Sequence, residues 1–116
     1  MSKAKKPAKK DNTEVWFKKE LYGEAPQDYH FVLTNGEKLK DLKDLINALD
    51  KMPEDVFRHH VNEMKNDFSS WINDVFKEKN LAEELKNFYN KADTELALYK
   101  NITNKMEKMI KRLSKK

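Results

Sequence analysis

The apolar positions of this chain change period several times, and each change marks an element. Leu39, Leu42, Leu45, Ile46, Leu49 and Met52 recur at three- and four-residue intervals with Lys and Asp between them. That spacing predicts a helix buried along one stripe. Pro53, followed by Glu54 and Asp55, suits the first turn of a second helix, whose buried side would carry Phe57, His60, Val61 and Met64. Asn66 or Asp67 can cap a third, in which Phe68, Trp71, Ile72, Val75 and Phe76 fall at i, i+3, i+4, i+7 and i+8. Upstream, the β-forming run Tyr29-His-Phe-Val-Leu33 precedes Asn35-Gly36 and Glu37-Lys-Leu39. Two residues tolerant of positive φ between short extended runs predict a β-hairpin over 29–39, and so small a hairpin must lean on helices.

The ends are less periodic. Between Asp11 and Gly23, either Thr13 caps a short helix with Phe17 and Leu21 on one face, or a strand begins at Val15. Pro26 then makes Gly23 to Asp28 a loop. From Asn80 onward the pattern is helical again, through Leu81, Leu85, Phe88, Tyr89 and Ala92. Without a break, positions 85, 92, 99, 106 and 113 with 88, 95, 102 and 109 make a heptad-like seam flawed by Glu95. Such a helix would be roughly 50 Å long, overhanging a domain whose compact radius of gyration is about 13 Å, and its end would need a partner. A break near Asp93, which can cap a new helix reaching about Leu113, lets the last segment fold back and is the preferred reading. The expected fold class is mostly α (α+β), a small helical domain with one N-terminal β-hairpin and a long C-terminal helix. Its expected parts are a disordered basic arm over 1–12, a helical domain over 13–93 and a basic helix over 94–116.

Composition narrows the chemistry. The 116 residues contain no cysteine, which excludes a disulfide scaffold and a thiolate zinc site. No apolar run approaches the roughly 18 residues of a membrane span. The lysines at the start have no apolar stretch behind them, so a cytoplasmic protein is expected. The net charge of +4 hides a division. Residues 1–10 hold Lys3, Lys5, Lys6, Lys9 and Lys10 and no acid, giving +5. Residues 105–116 hold Lys105, Lys108, Lys111, Arg112, Lys115 and Lys116 against Glu107, again +5. The 94 residues between carry 13 basic and 19 acidic side chains, hence −6. An acidic body with a basic segment at each end is expected to hold a DNA or RNA backbone, through counterion release and with little sequence preference. Trp16, directly behind the arm, could stack on bases. An anionic membrane is the weaker target, because no bulky apolar residue lies among residues 2–10 to anchor the arm there. The alternative function is protein interaction, a homodimer or a partner helix docking on the heptad-like 93–113 segment.

Catalytic signals are absent. Ser69 and Ser70 lack a neighbouring glycine turn for an oxyanion, and Gly23 and Gly36 are isolated rather than part of a phosphate loop. His59 and Glu63, at i and i+4, could share a metal ion, yet two ligands are too few for a tight site. A non-enzymatic protein is expected, without cofactor, metal or small-molecule substrate. His60 falls on the apolar side with Phe57 and reads as a buried histidine bonded to a helix cap at Asn66 or Asp67.

Several of these segments together resemble an uncharacterised family of small archaeal and bacterial domains of unknown function. They are Tyr29-His-Phe-Val-Leu with Gly36, the Leu42/Leu45/Leu49 helix, Phe57-Arg-His-His60, Asn66-Asp-Phe-Ser-Ser-Trp71 and Leu81-Ala82. The resemblance covers about residues 29–93 and leaves out the lysine arm and the final helix. It implies a fold rather than an activity, and it implies that His60, Asn66, Asp67, Phe68 and Trp71 form the family's structural cluster.

Overall fold

The computed structural model describes residues 8–114, with side chains from Glu14 to Ser114. Among the described residues the order is α1 (Ala8–Tyr22), β1 (Phe31–Val32), β2 (Lys38–Leu39), α2 (Leu42–Lys51), α3 (Glu54–His60), β3 (Val61–Asn62), β4 (Lys65–Asn66), α4 (Asp67–Trp71), α5 (Lys79–Leu85) and α6 (Lys91–Ser114). The fold is mostly α with a small β part, as the periods predict.

Helix α2 is the expected stripe with adjusted ends. Leu42, Leu45, Ile46, Ala48 and Leu49 are buried, whereas Leu39 closes β2 and Met52 is the C-cap. Asp41 Oδ1 accepts the Asp44 N–H at 2.8 Å and Asp44 Oδ2 accepts the Lys40 N–H at 3.0 Å, so the exposed first-turn donors are satisfied by two carboxylates. The first hairpin pairs Phe31 with Leu39 and Val32 with Lys38, antiparallel. Its turn is longer than a two-residue Asn-Gly loop. The Leu33 N–H bonds the Glu37 carbonyl, the Gly36 N–H bonds the Leu33 carbonyl, and only Gly36 of the two turn residues has positive φ.

The second helix stops earlier than its apolar pattern suggests. After His60 the chain turns into a second antiparallel hairpin, Val61 opposite Asn66 and Asn62 opposite Lys65. Met64, expected on the buried side, sits at the tip and is 90% exposed. Asn62 drives the change: its Nδ2 donates to the Arg58 carbonyl at the end of α3, and its Oδ1 accepts the Met64 N–H in the turn. One side chain thereby ends the helix and closes the hairpin. Asn66 caps α4 through the Ser69 N–H, and Phe68, Trp71 and Ile72 are buried as their spacing predicts. Ile72–Phe76 then widens into a π-helical turn that ends at Lys77 with φ +59°.

The break before α6 lies between Leu85 and Lys91, and Asn90 rather than Asp93 is the capping residue. Asn90 Oδ1 accepts the Asp93 N–H at 2.7 Å, while its Nδ2 donates to the Asp93 carboxylate. Lys91 reaches back to the Met52 carbonyl, tying the start of α6 to the end of α2. The core lies among α2, α3, α4, α5 and the first half of α6, with Phe57, Phe68, Leu42, Leu45, Ile72 and Leu98 fully enclosed. On α6 the expected seam splits: Ile102 and Met109 face the body, but Ala92, Tyr99, Met106 and Leu113 are exposed.

Helix α1 begins at Ala8, so residues 8–12, expected in the arm, open a helix that contains Thr13. The strand alternative from Val15 is not what forms. Phe17 and Leu21 line an apolar cleft of about 90 Å³ with Met106, Met109, Ile110 and Leu113. Leu21 therefore lies near Lys105 and Met109, Phe17 nearer Leu113, and the two helices run antiparallel. The overhanging half of α6 thus finds its partner in the chain's own first helix. The molecule extends 55 × 33 × 23 Å with a radius of gyration of 16.3 Å, above the roughly 13 Å of a compact domain of this length.

Between α1 and the body, Gly23 adopts φ +74°, and a β-carbon there would meet the Phe76 ring at 2.5 Å. Both the backbone angle and the close approach require glycine. Gly23→Ala is expected to destabilise the protein by on the order of 1–3 kcal/mol, read as a lower urea midpoint. Gly36→Ala meets no neighbouring atom within 4 Å and carries only the cost of its positive φ, so its midpoint should fall less.

Candidate functional site

Two groups of residues invite a functional reading, the His60 cluster and the basic residues of the two chain ends. Their geometries differ in kind.

His60 ends α3 and is buried. Its Nδ1 lies 3.0 Å from Asp67 Oδ2 and its Nε2 accepts the Thr34 N–H at 3.3 Å. That pattern fits the tautomer in which Nδ1–H donates to the carboxylate and Nε2 offers its lone pair to the peptide. Asp67 Oδ2 also accepts from Lys65 at 2.9 Å. Phe31, which the sequence pattern did not single out, lies in the middle of the aromatic packing. Its ring centroid is 5.0 Å from those of His60 and Phe68 and 5.5 Å from that of Trp71. Trp71 Nε1 donates to the Tyr29 carbonyl at 2.7 Å, and Asn66 Nδ2 donates to the Leu85 carbonyl at the end of α5. The structure brings His60, Asn66, Asp67, Phe68 and Trp71 together, each joining elements distant in sequence. A histidine beside an aspartate resembles a proton-transfer pair, but here both ring nitrogens have protein partners and neither faces a cleft. The cluster is a joint that fastens the first hairpin, α3 and α4.

The metal pair that the i, i+4 spacing suggested does not form. His59 is exposed on the last turn of α3, whereas Glu63 lies in the β3–β4 turn beyond the helix end. Among the described residues no three His, Cys, Asp or Glu side chains are placed to hold a metal ion. Nor is any helix among them long and apolar enough to cross a membrane.

The basic residues behave otherwise. Lys108, Lys111 and Arg112 are exposed on the last turns of α6. Arg112 approaches Glu20 of α1 at 3.8 Å. Lys105 is different: its ammonium bonds both Glu78 and the Leu21 carbonyl and belongs to the junction with α1. Lys3, Lys5, Lys6, Lys115 and Lys116 lie outside the described residues, as do the side chains of Lys9 and Lys10. Because α1 runs antiparallel to α6, its first residue, Ala8, and the last turn of α6 lie at the same end of the molecule. Trp16 lies in the middle of α1, 44% exposed, its ring edge-to-face with Phe17 at 5.0 Å. The sequence shows two basic ends; that Ala8 and the last turn of α6 share one end of the molecule follows only from the helix pairing.

The joint has a pH signature. Burial works against ionisation of Asp67, but hydrogen bonds from Lys65 and His60, with the charge of Lys65, outweigh it and hold the carboxyl below its ordinary 3.8. A depressed folded-state pKa gives stability that is present above the unfolded value and is lost as pH falls through the folded one. Asp67→Asn is therefore expected to be less stable than wild type at neutral pH. The gap should close below about pH 4. Urea unfolding of both proteins from neutrality down to about pH 2 measures it; a gap that stays constant would contradict the assignment.

Among known proteins, residues 25–116 match a family described as Family of unknown function (DUF5752). No curated protein and no solved structure matches. The matched span begins after α1 and takes in the whole His60 cluster. It also contains α6, which the sequence resemblance had left outside. With the match covering all but the first 24 residues, this chain belongs to that family of unknown function, DUF5752.

Proposed function

We propose that the protein is a non-enzymatic, nucleic-acid-associated protein that holds the phosphate backbone of DNA or RNA at one basic end. The observation that carries this reading is the antiparallel packing of α1 on the second half of α6. It puts Ala8, which follows Lys3, Lys5 and Lys6 in the sequence, at the same end of the molecule as the exposed Lys108, Lys111 and Arg112, while the residues between the two basic segments carry −6. Concentrating charge of one sign at a pole raises the local potential and steers association with a polyanion. Lys108 and Lys111 are exposed there, and lysine contacts to phosphate carry no sequence information. Trp16 on α1 offers a half-exposed aromatic face, which suits unpaired bases. The closed hydrogen bonding of His60 supports the non-enzymatic half of the reading, since the His60–Asp67 pair has no ring nitrogen left for a substrate. A cytoplasmic setting goes with it, and a chain without cysteine suits a reducing compartment.

A salt titration tests this reading, with duplex DNA and with single-stranded RNA of unrelated sequences as probes. Log affinity should fall linearly with log salt and differ little between sequences. Removing residues 1–7 deletes Lys3, Lys5 and Lys6 without entering α1 and should reduce the slope by up to ~3, about 0.9 per lost phosphate contact. Lys108→Glu with Lys111→Glu should flatten it further. Failure to bind either probe at low salt, or slopes unchanged in both variants, refutes the proposal.

A further inference from the structure

Helix α6 carries a second apolar face that the body does not cover. Leu96, Tyr99, Thr103, Met106, Ile110 and Leu113 are all exposed and follow one another at intervals of 3, 4, 3, 4 and 3. This is the a/d spacing of a coiled-coil seam, about 26 Å long at 1.5 Å per residue. The face turned to the body is a different one, made by Thr94, Ala97, Leu98, Ile102 and Met109. Leaving five large apolar side chains about half in water forgoes on the order of 1 kcal/mol each. A monomer has nothing to gain from that spacing; a second helix laid on it does.

We propose that the occupant is a second copy of this chain, with the two α6 helices paired antiparallel about a two-fold axis near Thr103 and Met106. Three features select this partner and this direction. The first is shape. One end of the seam borders the apolar cleft between α1 and α6, lined by Met106, Ile110, Leu113 and the α1 residues Phe17 and Leu21. The other end carries Leu96 and Tyr99, half-exposed and outside that cleft. Antiparallel pairing lays Leu96 against Leu113 and Tyr99 against Ile110 of the other copy, so these side chains meet the cleft at both ends. Parallel pairing would set cleft against cleft.

The second feature is the charge flanking the seam. Lys100 and Glu107 are exposed on the same edge, each one residue after a seam position. In the antiparallel register Lys100 of one copy lies between the same two layers as Glu107 of the other, and symmetry repeats the pair. The third is the charge of the whole helix. Its first turn is acidic through Asp93 and its last is basic through Lys111 and Arg112. Antiparallel pairing brings opposite signs together, whereas parallel pairing would superpose two basic poles. The interface is isologous and closes at two copies.

Sedimentation of the full-length protein without nucleic acid tests the pairing. Twice the 13.8 kDa chain mass is expected at high concentration, falling to the single mass on dilution. Tyr99→Glu, which lies away from α1, should abolish the dimer while the circular dichroism is unchanged. Lys100→Glu should weaken the dimer, and adding Glu107→Lys to it should restore the wild-type dissociation constant. The direction is read by oxidation: Leu96→Cys and Leu113→Cys chains should cross-link when mixed, and neither should cross-link alone. A monomer up to millimolar concentration, as expected if the seam serves a helix of another protein, overturns the proposal. So does a dimer that survives Tyr99→Glu, or a Leu96→Cys chain that cross-links by itself.

Discussion

Lys105 reaches from α6 to two places at once, donating to Glu78 just after the π-helical turn and to the Leu21 carbonyl near the end of α1. Asn101, one turn earlier on α6, donates to the other oxygen of the same carboxylate. The lysine and glutamate side chains are each only 23% exposed, so the pair is less screened than a surface bridge. It also gives a partner to one of the carbonyls that a helix end leaves without one. Among the described residues of α1, Phe17 and Leu21 face α6 and Tyr22 packs on the core. The bridge and the glycine beneath Phe76 join these contacts in setting where α1 lies. Its direction in turn decides which end of the molecule Ala8 shares with the last turn of α6 and whether the second half of α6 has a cleft beside it.

The His60 cluster works by closure. His60, Asp67 and Lys65 exchange hydrogen bonds with one another and with Thr34, and the Phe31 ring fills the space among His60, Phe68 and Trp71. Buried polar groups in so dense a setting are costly unless satisfied, and here they are satisfied within the protein. Asn66 extends the same logic, capping α4 with its oxygen and holding the end of α5 with its nitrogen. Short elements that could not stand alone, two-residue strands and a five-residue helix, become one unit through these side-chain bonds. The family match spans this unit and α6 together, consistent with a common scaffold.

What could be read from residues alone follows from how local each determinant is. The stripe of α2, the turn at Gly36 and the Asn66 cap depend on neighbours within a few positions, and they form where the pattern puts them. The β3–β4 hairpin was hidden because Asn62 does the work usually signalled by glycine, and Val61 and Met64 kept a helical spacing that the backbone abandons. The start of α1 was hidden because lysines without an apolar period look like a solvated tail. On α6 the heptad-like register mixed two faces. Ile102 and Met109 belong to the body and Tyr99 and Met106 to the exposed seam. No local rule tells which side of a doubly apolar helix its own domain will cover. The bond between a buried His60 and Asp67 was legible for the same local reasons, whereas the grouping of Phe68 and Trp71 with them came from the family resemblance. The placing of Ala8 at the same end as the last turn of α6 was not legible, because it needs two helices whose contacting residues are 84 apart in sequence to run antiparallel.

The two faces of α6 also separate two ways in which this protein could act. Lys108, Lys111 and Arg112 lie on the flank away from the Tyr99–Met106–Leu113 seam, so a phosphate backbone and a second helix would not compete for the same side chains. Their driving forces differ as well. Contact with phosphate weakens with salt through counterion release, while burial of the seam depends on apolar area and is little affected by modest ionic strength. In an antiparallel pair each basic pole stays at its own end of the assembly, far from its like-charged counterpart. Pairing and polyanion binding are then compatible, and neither depends on the other. A helix that is apolar on two sides and basic along a third is well explained by a molecule that has to satisfy its own core, a partner and an anionic surface with one element.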